Sequence, residues 1–389
     1  MKLSQLVEGI PLSTTLALDA RAKALAAEGR DVINMAVGEP DFPAPATVQR
    51  AAVARIESGN VRYTPAAGAP EVRATIATHL TETRGTPYGP HEVAVCHSCK
   101  HALSGSILAL VGPGDEVLIP LPAWVSYFEL VRLSGATPVG VPSKDGSAPD
   151  FDALEAAVTP RTRLILFNSP ANPSGYVWSA AEVQQLMRLA QAHDLALISD
   201  EIYRRLVYDG EPAVSPASAG PDARARTVIV DGASKTFAMT GYRVGFLAGP
   251  QELVDAVARM HSQTTGAPNT VSQAAFAAAL REEPPEVEQM RSRFAARRDV
   301  LLAGLEALGL ETARPRGAFY AFPSVAPLLD DRGSPGFAED LLEQQNLAVV
   351  PGEAFGVPGH IRLSYAMSRQ RLGEALGRLE AFLLARRSA

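Results

Sequence analysis

The sequence predicts an α/β fold: a mostly parallel sheet covered by helices on both faces, joined to a second, smaller α/β layer. Three observations predict it. From about residue 93, short apolar runs alternate with stretches of helical spacing, and strands alternating with helices assemble into a parallel sheet. Beyond Pro284 a long helical stretch leads into a further group of strand-like runs. The chain has 389 residues, enough for more than one sizeable core.

Taken in order, Leu16–Glu28 (LALDARAKALAAE) has apolar positions at helical spacing. Asp31–Val37 is a short apolar run, and Gly38–Pro43 (GEPDFP) must turn. A helix is expected from Thr47 to Ser58, and Tyr63–Gly68 (YTPAAG) breaks it. Seven strand-like runs follow: Glu92–Cys96, Glu116–Ile119, Pro138–Val141, Arg163–Phe167, Leu195–Ser199, Thr227–Val230 and Val244–Ala248. Between them lie helical stretches at Ala102–Val111, Trp124–Ser134, Phe151–Val158 and Ala180–Ala192. Pro284–Ala307 reads as a long helix that leaves the sheet. Arg316–Ser324, Leu347–Pro351 and Ile361–Tyr365 read as strands, with helices at Gly336–Gln345 and Ser368–Leu384.

Composition narrows the function classes. Hydrophobic residues make up 47% and charged residues 20%, an ordinary globular balance. A net charge of −6 argues against a nucleic-acid or anionic-membrane partner. Cys96 and Cys99 are the only cysteines, so no disulfide framework exists and a reducing compartment is expected. The N-terminus lacks the apolar core of a secretory signal, and no stretch reaches the length of a membrane span. A cytoplasmic protein is expected.

The candidate chemistry centres on Asp231–Gly245, DGASKTFAMTGYRVG. A lysine that forms a Schiff base must be desolvated and must reach a carbonyl. Lys235 sits behind small residues that let backbone pass close to a bound group. Arg243 offers a fork suited to phosphate. Lysine for an aldehyde and arginine for a phosphate match pyridoxal 5'-phosphate; a surface lysine on a loop is the plainer explanation.

Ligands of a parallel sheet bind outside the carboxyl ends of its strands, which marks Asn168, Asp200 and Gly232. Asp200 ends LALISDEIY and could hold a protonated ring nitrogen, or simply cap the next helix. Tyr203 follows three residues later and could reach the same ligand. NSPANPSG, residues 168–175, carries more asparagine than a plain turn requires. Trp124 could stack on an aromatic ring or fill a core. Arg362, alone in an apolar run, needs a carboxylate partner, whether a substrate or another part of the protein. Cys96 and Cys99 form a C-x-x-C, but no second cysteine pair exists for zinc. A helix start whose free N–H groups hold an anion is the better reading of that segment. No G-x-G-x-x-G follows a strand, and GASKT lacks Walker spacing.

Together these residues resemble the class I/II aminotransferases of pyridoxal-phosphate fold type I. Within them the chain looks most like bacterial aspartate aminotransferases of the thermophile-type subgroup. VGEPDFP, YTPAAG, GDEVLIPLPAWVSY, NSPANPSG, SDEIY, SKTFAMTGYRVG, RGAFY, VVPGEAFG and HIRLSYA occur in the family's order. The resemblance implies a large cofactor-binding domain with a mostly parallel seven-stranded sheet over 46–283. It implies a small domain from 1–45 and 284–389, and a homodimer with active sites at the subunit interface. Lys235 would bond to the cofactor aldehyde and shuttle the substrate proton, and Asp200 would keep the ring nitrogen protonated. Tyr203 and Asn172 would bond the ring oxygen, and Trp124 would stack on the ring. Arg243, with backbone near Cys99 and Lys100, would bind the phosphate, and Tyr63 would reach the phosphate of the other subunit. Arg362 would clamp the substrate carboxylate, with Gly38 and Asn172 assisting. Lys100 and Thr15 would recognise a side-chain carboxylate, which favours aspartate as donor and 2-oxoglutarate as acceptor.

The chain departs from the family at Ser98-Cys99, where two small residues are usual, at His101, commonly glutamine, and at Gly232, where serine is expected. Pro11 stands where some members linked to prephenate carry a basic residue. An aminotransferase for aromatic or other amino acids, a lyase or decarboxylase of the same fold, and a regulator's sensor domain are the alternatives.

Overall fold

The computed structural model describes residues 3, 8–10, 14–210 and 213–388, the side chains of 14–16 and 388 excepted. Strands are numbered in chain order: β1 Ile33–Asn34, β2 Val93–Cys96, β3 Glu116–Pro120, β4 Thr137–Val141, β5 Thr162–Asn168 and β6 Ala196–Asp200. They continue with β7 Thr227–Gly232, β8 Gly245–Ala248, β9 Tyr320–Ala321, β10 Leu347–Ala348, β11 Val350–Pro351 and β12 Ile361–Ser364. Seven of them form one sheet in the order β2-β8-β7-β6-β5-β3-β4. Only β8 runs against its neighbours; the remaining pairs are parallel.

The central strands are mostly apolar because both faces are covered, while the edge strand β4 is partly exposed. Successive residues of β5 go to opposite cores: Leu164 and Leu166 to one, Ile165 and Phe167 to the other. The first core holds Leu103 and Ile107 of the helix Cys99–Leu110, with Val254 and Val257 of the helix Gln251–Thr264. The second holds Leu186, Met187 and Leu189 of the helix Ala180–Ala192. Under β2 and β8, Val95 and Phe246 pack on Ile76, Leu80 and Phe276. This period of two fixes register, since a slip by one residue would exchange the faces.

Register also lines up the strand ends that matter. Asn168 is paired with Asp200 across β5 and β6. Asp200 pairs with Val230 across β6 and β7, two residues before Gly232.

Three long helices of the sheet region escape the sequence reading, Pro70–Arg84, Gln251–Thr264 and Thr270–Glu282, as does the short helix Pro221–Arg226. Their end signals are present. Pro70 opens the first, and Gly85 closes it at φ 64. Asn269 caps the third through its side chain, accepting from the Ser272 N–H at 2.8 Å.

The second layer is more broken than expected. Only Tyr320–Ala321 of the expected strand Arg316–Ser324 pairs in a ladder, because Ala318 has φ 57 and cannot continue an extended run. The expected strand Leu347–Pro351 divides between two partners. Leu347–Ala348 runs parallel to β1, and Val350–Pro351 runs antiparallel to β12. The long helix, Glu286–Ala307, begins two residues later than expected. Among the described residues no helix is long and apolar enough to cross a membrane.

Candidate active site

The carboxyl ends of β5, β6 and β7 open into a cavity of about 450 Å³. It is bounded on the far side by Ala36–Glu39, Tyr320 and Arg362. Lys235, Asp200, Tyr203, Asn172, Trp124, Arg243, Cys99, Lys100, Gly38 and Arg362 all line it. Tyr63 does not: its side chain is fully exposed, at 107% of reference. The side chain of Thr15 lies outside what is described, and Pro11 lies outside the described residues altogether.

Asp200, the last residue of β6, is buried and accepts from the Tyr127 hydroxyl at 2.7 Å and from the Ile202 N–H at 3.2 Å. Burial outweighs both bonds and pushes its carboxyl up to about 7. A positive group beside it would bring it back to the anion. Lys235 lies on the single turn Ala233–Thr236 that follows β7. Its ammonium donates to the Gly38 carbonyl, and burial lowers its pKa to about 8. Gly38 must be small, since a Cβ there would lie 2.8 Å from the Tyr320 hydroxyl.

A hydrogen-bonded string runs along the strand ends. Asn168 Nδ2 donates to the Asp200 carbonyl at 2.7 Å, and Asn168 Oδ1 accepts from the Asn172 N–H at 2.9 Å. Asn172 Oδ1 accepts from Arg362 Nη1 at 2.9 Å, and Arg362 Nη2 donates to the Ala36 carbonyl at 2.6 Å. Arg362 is 2% exposed, and its Nε has no partner. Its guanidinium lies 4.5 Å from the Tyr320 ring centroid. A buried guanidinium with unused donors is built to receive an anion. Tyr203 and Tyr320 share a hydroxyl–hydroxyl bond of 2.9 Å.

At the other end the helix Cys99–Leu110 begins in the cavity wall. Its first N–H groups have no intrahelical acceptor and face anions well. Arg243 stands beside it, exposed, with Nη1 on the Thr240 carbonyl at 2.9 Å. Lys100 Nζ lies 4.8 Å from the Trp124 ring centroid. Burial first, and Arg243 second, lower the Lys100 pKa.

The glycine at 232 has a steric reason. A Cβ there would lie 2.7 Å from Gly245 Cα and 2.9 Å from Cys99 Sγ, so the expected serine has no room. Ser98 is the converse, a side chain at φ 90 where glycine is at ease. Ser98→Gly is expected to stabilise the protein by about 1 kcal/mol, net of added chain entropy. Urea denaturation checks it, and a loss of stability would show that the hydroxyl outweighs the strain.

The sequence reading missed Tyr127 and Tyr320 as site residues and Arg84 as their support. Tyr127 sits in the same LPAWVSY segment as Trp124, three residues on, and Tyr320 closes RGAFY. Arg84 carries no local signal. Its guanidinium, 4% exposed as a residue, reaches Glu201 Oε2 at 2.9 Å and Asp231 Oδ2 at 2.7 Å, directly behind Asp200.

The chain is similar to known proteins along nearly its whole length. The family model described as aminotransferase class I and II matches residues 30–379. The aspartate aminotransferase of Geobacillus stearothermophilus is 39% identical, covering 99% of this chain and 100% of its own. The aspartate/prephenate aminotransferase of Thermus thermophilus is 41% identical over 98% of each. Among solved structures, the Thermus thermophilus aspartate aminotransferase with maleate has a TM-score of 0.94 at 40% identity, covering 98% of this chain and 100% of that one. The aspartate aminotransferase from Rhizobium meliloti gives 0.94 at 38% identity, covering 98% and 99%. A lysine, a buried carboxylate and a buried arginine around one cavity, with kinship of this extent, place the chain in the class I and II aminotransferase family.

Proposed function

We propose that the protein moves the amino group of aspartate to 2-oxoglutarate, with pyridoxal 5'-phosphate as cofactor. The observation that carries this is the convergence of Lys235, Asp200 and Arg362 on one cavity. The donor set fits the cofactor. The start of the helix Cys99–Leu110 and Arg243 would hold a phosphate, Trp124 would cover a ring, and Asp200 would pair with its nitrogen. Tyr203 and Asn172 would take its ring oxygen. Bound there, pyridoxal phosphate supplies an electron sink for the carbanion left when the substrate Cα loses its proton.

The chain's own residues do the rest. Lys235, its pKa lowered to about 8, is partly neutral at physiological pH, so Nζ can act as nucleophile and then as base. Held in the cavity, it is the base that takes the proton from Cα, and its fixed position removes the entropy cost of finding it. Asp200, kept dry and oriented by the Tyr127 hydroxyl, holds its proton partner in the charged form. Arg362 turns its unused donors to the α-carboxylate. The oxo-acid partner reverses the sequence, giving ping-pong kinetics.

Lys100 supports a dicarboxylic substrate, since a cation in the cavity is of little use to an apolar side chain. The Thermus thermophilus relative seen with maleate, itself a dicarboxylate, supports the same preference. Lys100→Ala is expected to raise KM for aspartate about tenfold or more, the worth of one charged hydrogen bond, and to leave alanine nearly unchanged. Equal changes for both donors would remove the dicarboxylate argument.

The division into 46–283 and the two flanking segments, and a cytoplasmic location, belong to the same proposal. So does a homodimer, in which the exposed Tyr63 reaches a second copy's phosphate. Product analysis tests the reaction: aspartate and 2-oxoglutarate must yield glutamate. Ammonia or carbon dioxide without glutamate would instead mean a lyase or decarboxylase. Loss of the bound cofactor's absorption band during titration with amino acids ranks the donors.

A further inference from the structure

The segment VCHSCKH offers two thiols and two histidines within six residues, and the fold sends the thiols to different places. Cys99 lines the active-site cavity. Cys96, at the end of β2, joins a group the amino-transfer chemistry does not use. Among the described residues, one set of three or more such side chains brings its ligand atoms within 4.8 Å of one another: Cys96, His101 and His261. They come from three elements, β2, the helix Cys99–Leu110 and the helix Gln251–Thr264.

His261 is the informative member. It is 0% exposed, and neither ring nitrogen has a hydrogen-bond partner. Buried polar atoms are nearly always paired, because each unmet one keeps its full desolvation cost. The ring lies flat on His101, with centroids 4.0 Å apart and planes at 18°. A Cβ at Gly105 would lie 3.1 Å from His261 Nε2, so the two helices are in close contact here. His97 repeats the anomaly: its Nε2 is buried without a partner, and its ring meets His101 edge-on at 5.3 Å.

His101 is already oriented. Its Nδ1 accepts from the His97 N–H at 3.3 Å, so the proton of the neutral ring is on Nε2 and goes to Thr265 Oγ1 at 3.1 Å. A ring whose outer N–H is tied to a hydroxyl is set to bind a metal through the other nitrogen, and zinc there would displace the long bond from the His97 N–H.

We propose that Cys96, His101 and His261 form a zinc site, with His97 as fourth donor, that staples the helix Cys99–Leu110 to the helix Gln251–Thr264 behind the active-site cavity. One sulfur with imidazole nitrogens is a donor set that suits zinc. Bonds of about 2.0–2.3 Å at tetrahedral angles put ligand atoms roughly 3.4–3.8 Å apart. The group of Cys96, His101 and His261 therefore closes by about an ångström on binding, the stacked His101 and His261 rings turn out of parallel so that both lone pairs face the metal, and His97 swings in to join them. On binding, the Cys96 thiol gives its proton to water and the sulfur becomes the thiolate ligand. The imidazoles bind neutral, and no electron is transferred.

The test uses the cofactor-loaded enzyme, stripped with a chelator and dialysed against zinc. We expect one bound zinc per chain by mass spectrometry of the metal. We expect Cys96→Ser and His261→Gln each to weaken zinc by more than about a hundredfold, since even an outer partner is worth about ten- to a hundredfold. Cobalt(II) in the unmodified enzyme should show the visible bands of a tetrahedral thiolate site, absent in Cys96→Ser. Zinc should raise the melting temperature of the unmodified enzyme and leave that of Cys96→Ser unmoved. Failure to retain stoichiometric zinc, or equal retention by both variants, overturns the proposal. Cobalt spectra of octahedral type do the same even if a variant fails to fold.

Discussion

Lys235→Ala is expected to abolish amino transfer while the protein stays folded and still takes up its cofactor without a covalent link. In the proposed mechanism the amine serves twice, as the nucleophile that captures the aldehyde and as the base beside the substrate Cα. A well-placed base alone contributes about 10²–10⁴-fold, so kcat for aspartate and 2-oxoglutarate should fall by about 10⁴ or more. The fold should survive because Lys235 makes one side-chain hydrogen bond, to the Gly38 carbonyl. Removing a half-buried cation that burial already disfavours leaves no stranded partner charge. Steady-state rates measure the first effect. Absorbance after borohydride treatment, which fixes only a covalently attached cofactor, measures the second. Turnover at the unmodified rate would move the chemistry to another residue.

The second large effect falls on stability. Arg84→Met removes the one guanidinium that reaches both Glu201 and Asp231, whose side chains are buried or nearly so. Breaking a buried ion pair by deleting one partner costs about 3–5 kcal/mol; here Asp231 loses its counter-ion, and Glu201 keeps only Arg204, at 3.9 Å. The deficit should depend on pH, and its sign follows from Asp231. Burial already raises that carboxyl, and Arg84 pulls it down. Without Arg84, burial acts with less opposition and the folded-state pKa climbs further above the unfolded one. The folded variant then binds a proton that the unfolded chain has given up. Its stability is fullest below the ordinary carboxylate pKa of about 4 and is lost as pH rises toward the raised folded value. Urea denaturation of both proteins across that range checks this, and a deficit that shrinks on raising the pH would contradict it. Activity should fall as well, since Glu201 follows Asp200 directly and Asp231 lies at the end of the neighbouring strand.

Much of the candidate site was legible because parallel sheets concentrate function at one edge. Asn168 and Asp200 close strand-like runs, and Lys235 follows one closely. An aspartate at the end of an apolar run and a lone arginine inside another are visible anomalies in the bare chain, as Asp200 and Arg362 were. Tyr127 was not visible, although it touches Asp200, because a tyrosine on an amphipathic helix looks like core until its hydroxyl finds a partner. Arg84 was less visible still. Its partners lie 117 and 147 residues away in the chain, and nothing local distinguishes it from a surface arginine at a helix end.

The second layer shows where pattern fails. Leu347–Pro351 is one apolar run in sequence and two strands in space, since each half finds a different partner. Apolar pattern reports burial, and burial does not say which neighbour provides it.

By itself the amino-acid sequence determined that the chain builds an alternating α/β sheet, where its strand ends fall, and which family its motifs match. These follow from periodicity and local residue type, which act over a few neighbours. The tertiary structure alone decided that a distant arginine neutralises the carboxylates behind Asp200. It alone decided that Cys96 and Cys99 face different surroundings, and that His261 comes to rest, unpaired, against His101. Those outcomes depend on which far-apart segments pack together, and desolvation acts only once they have done so.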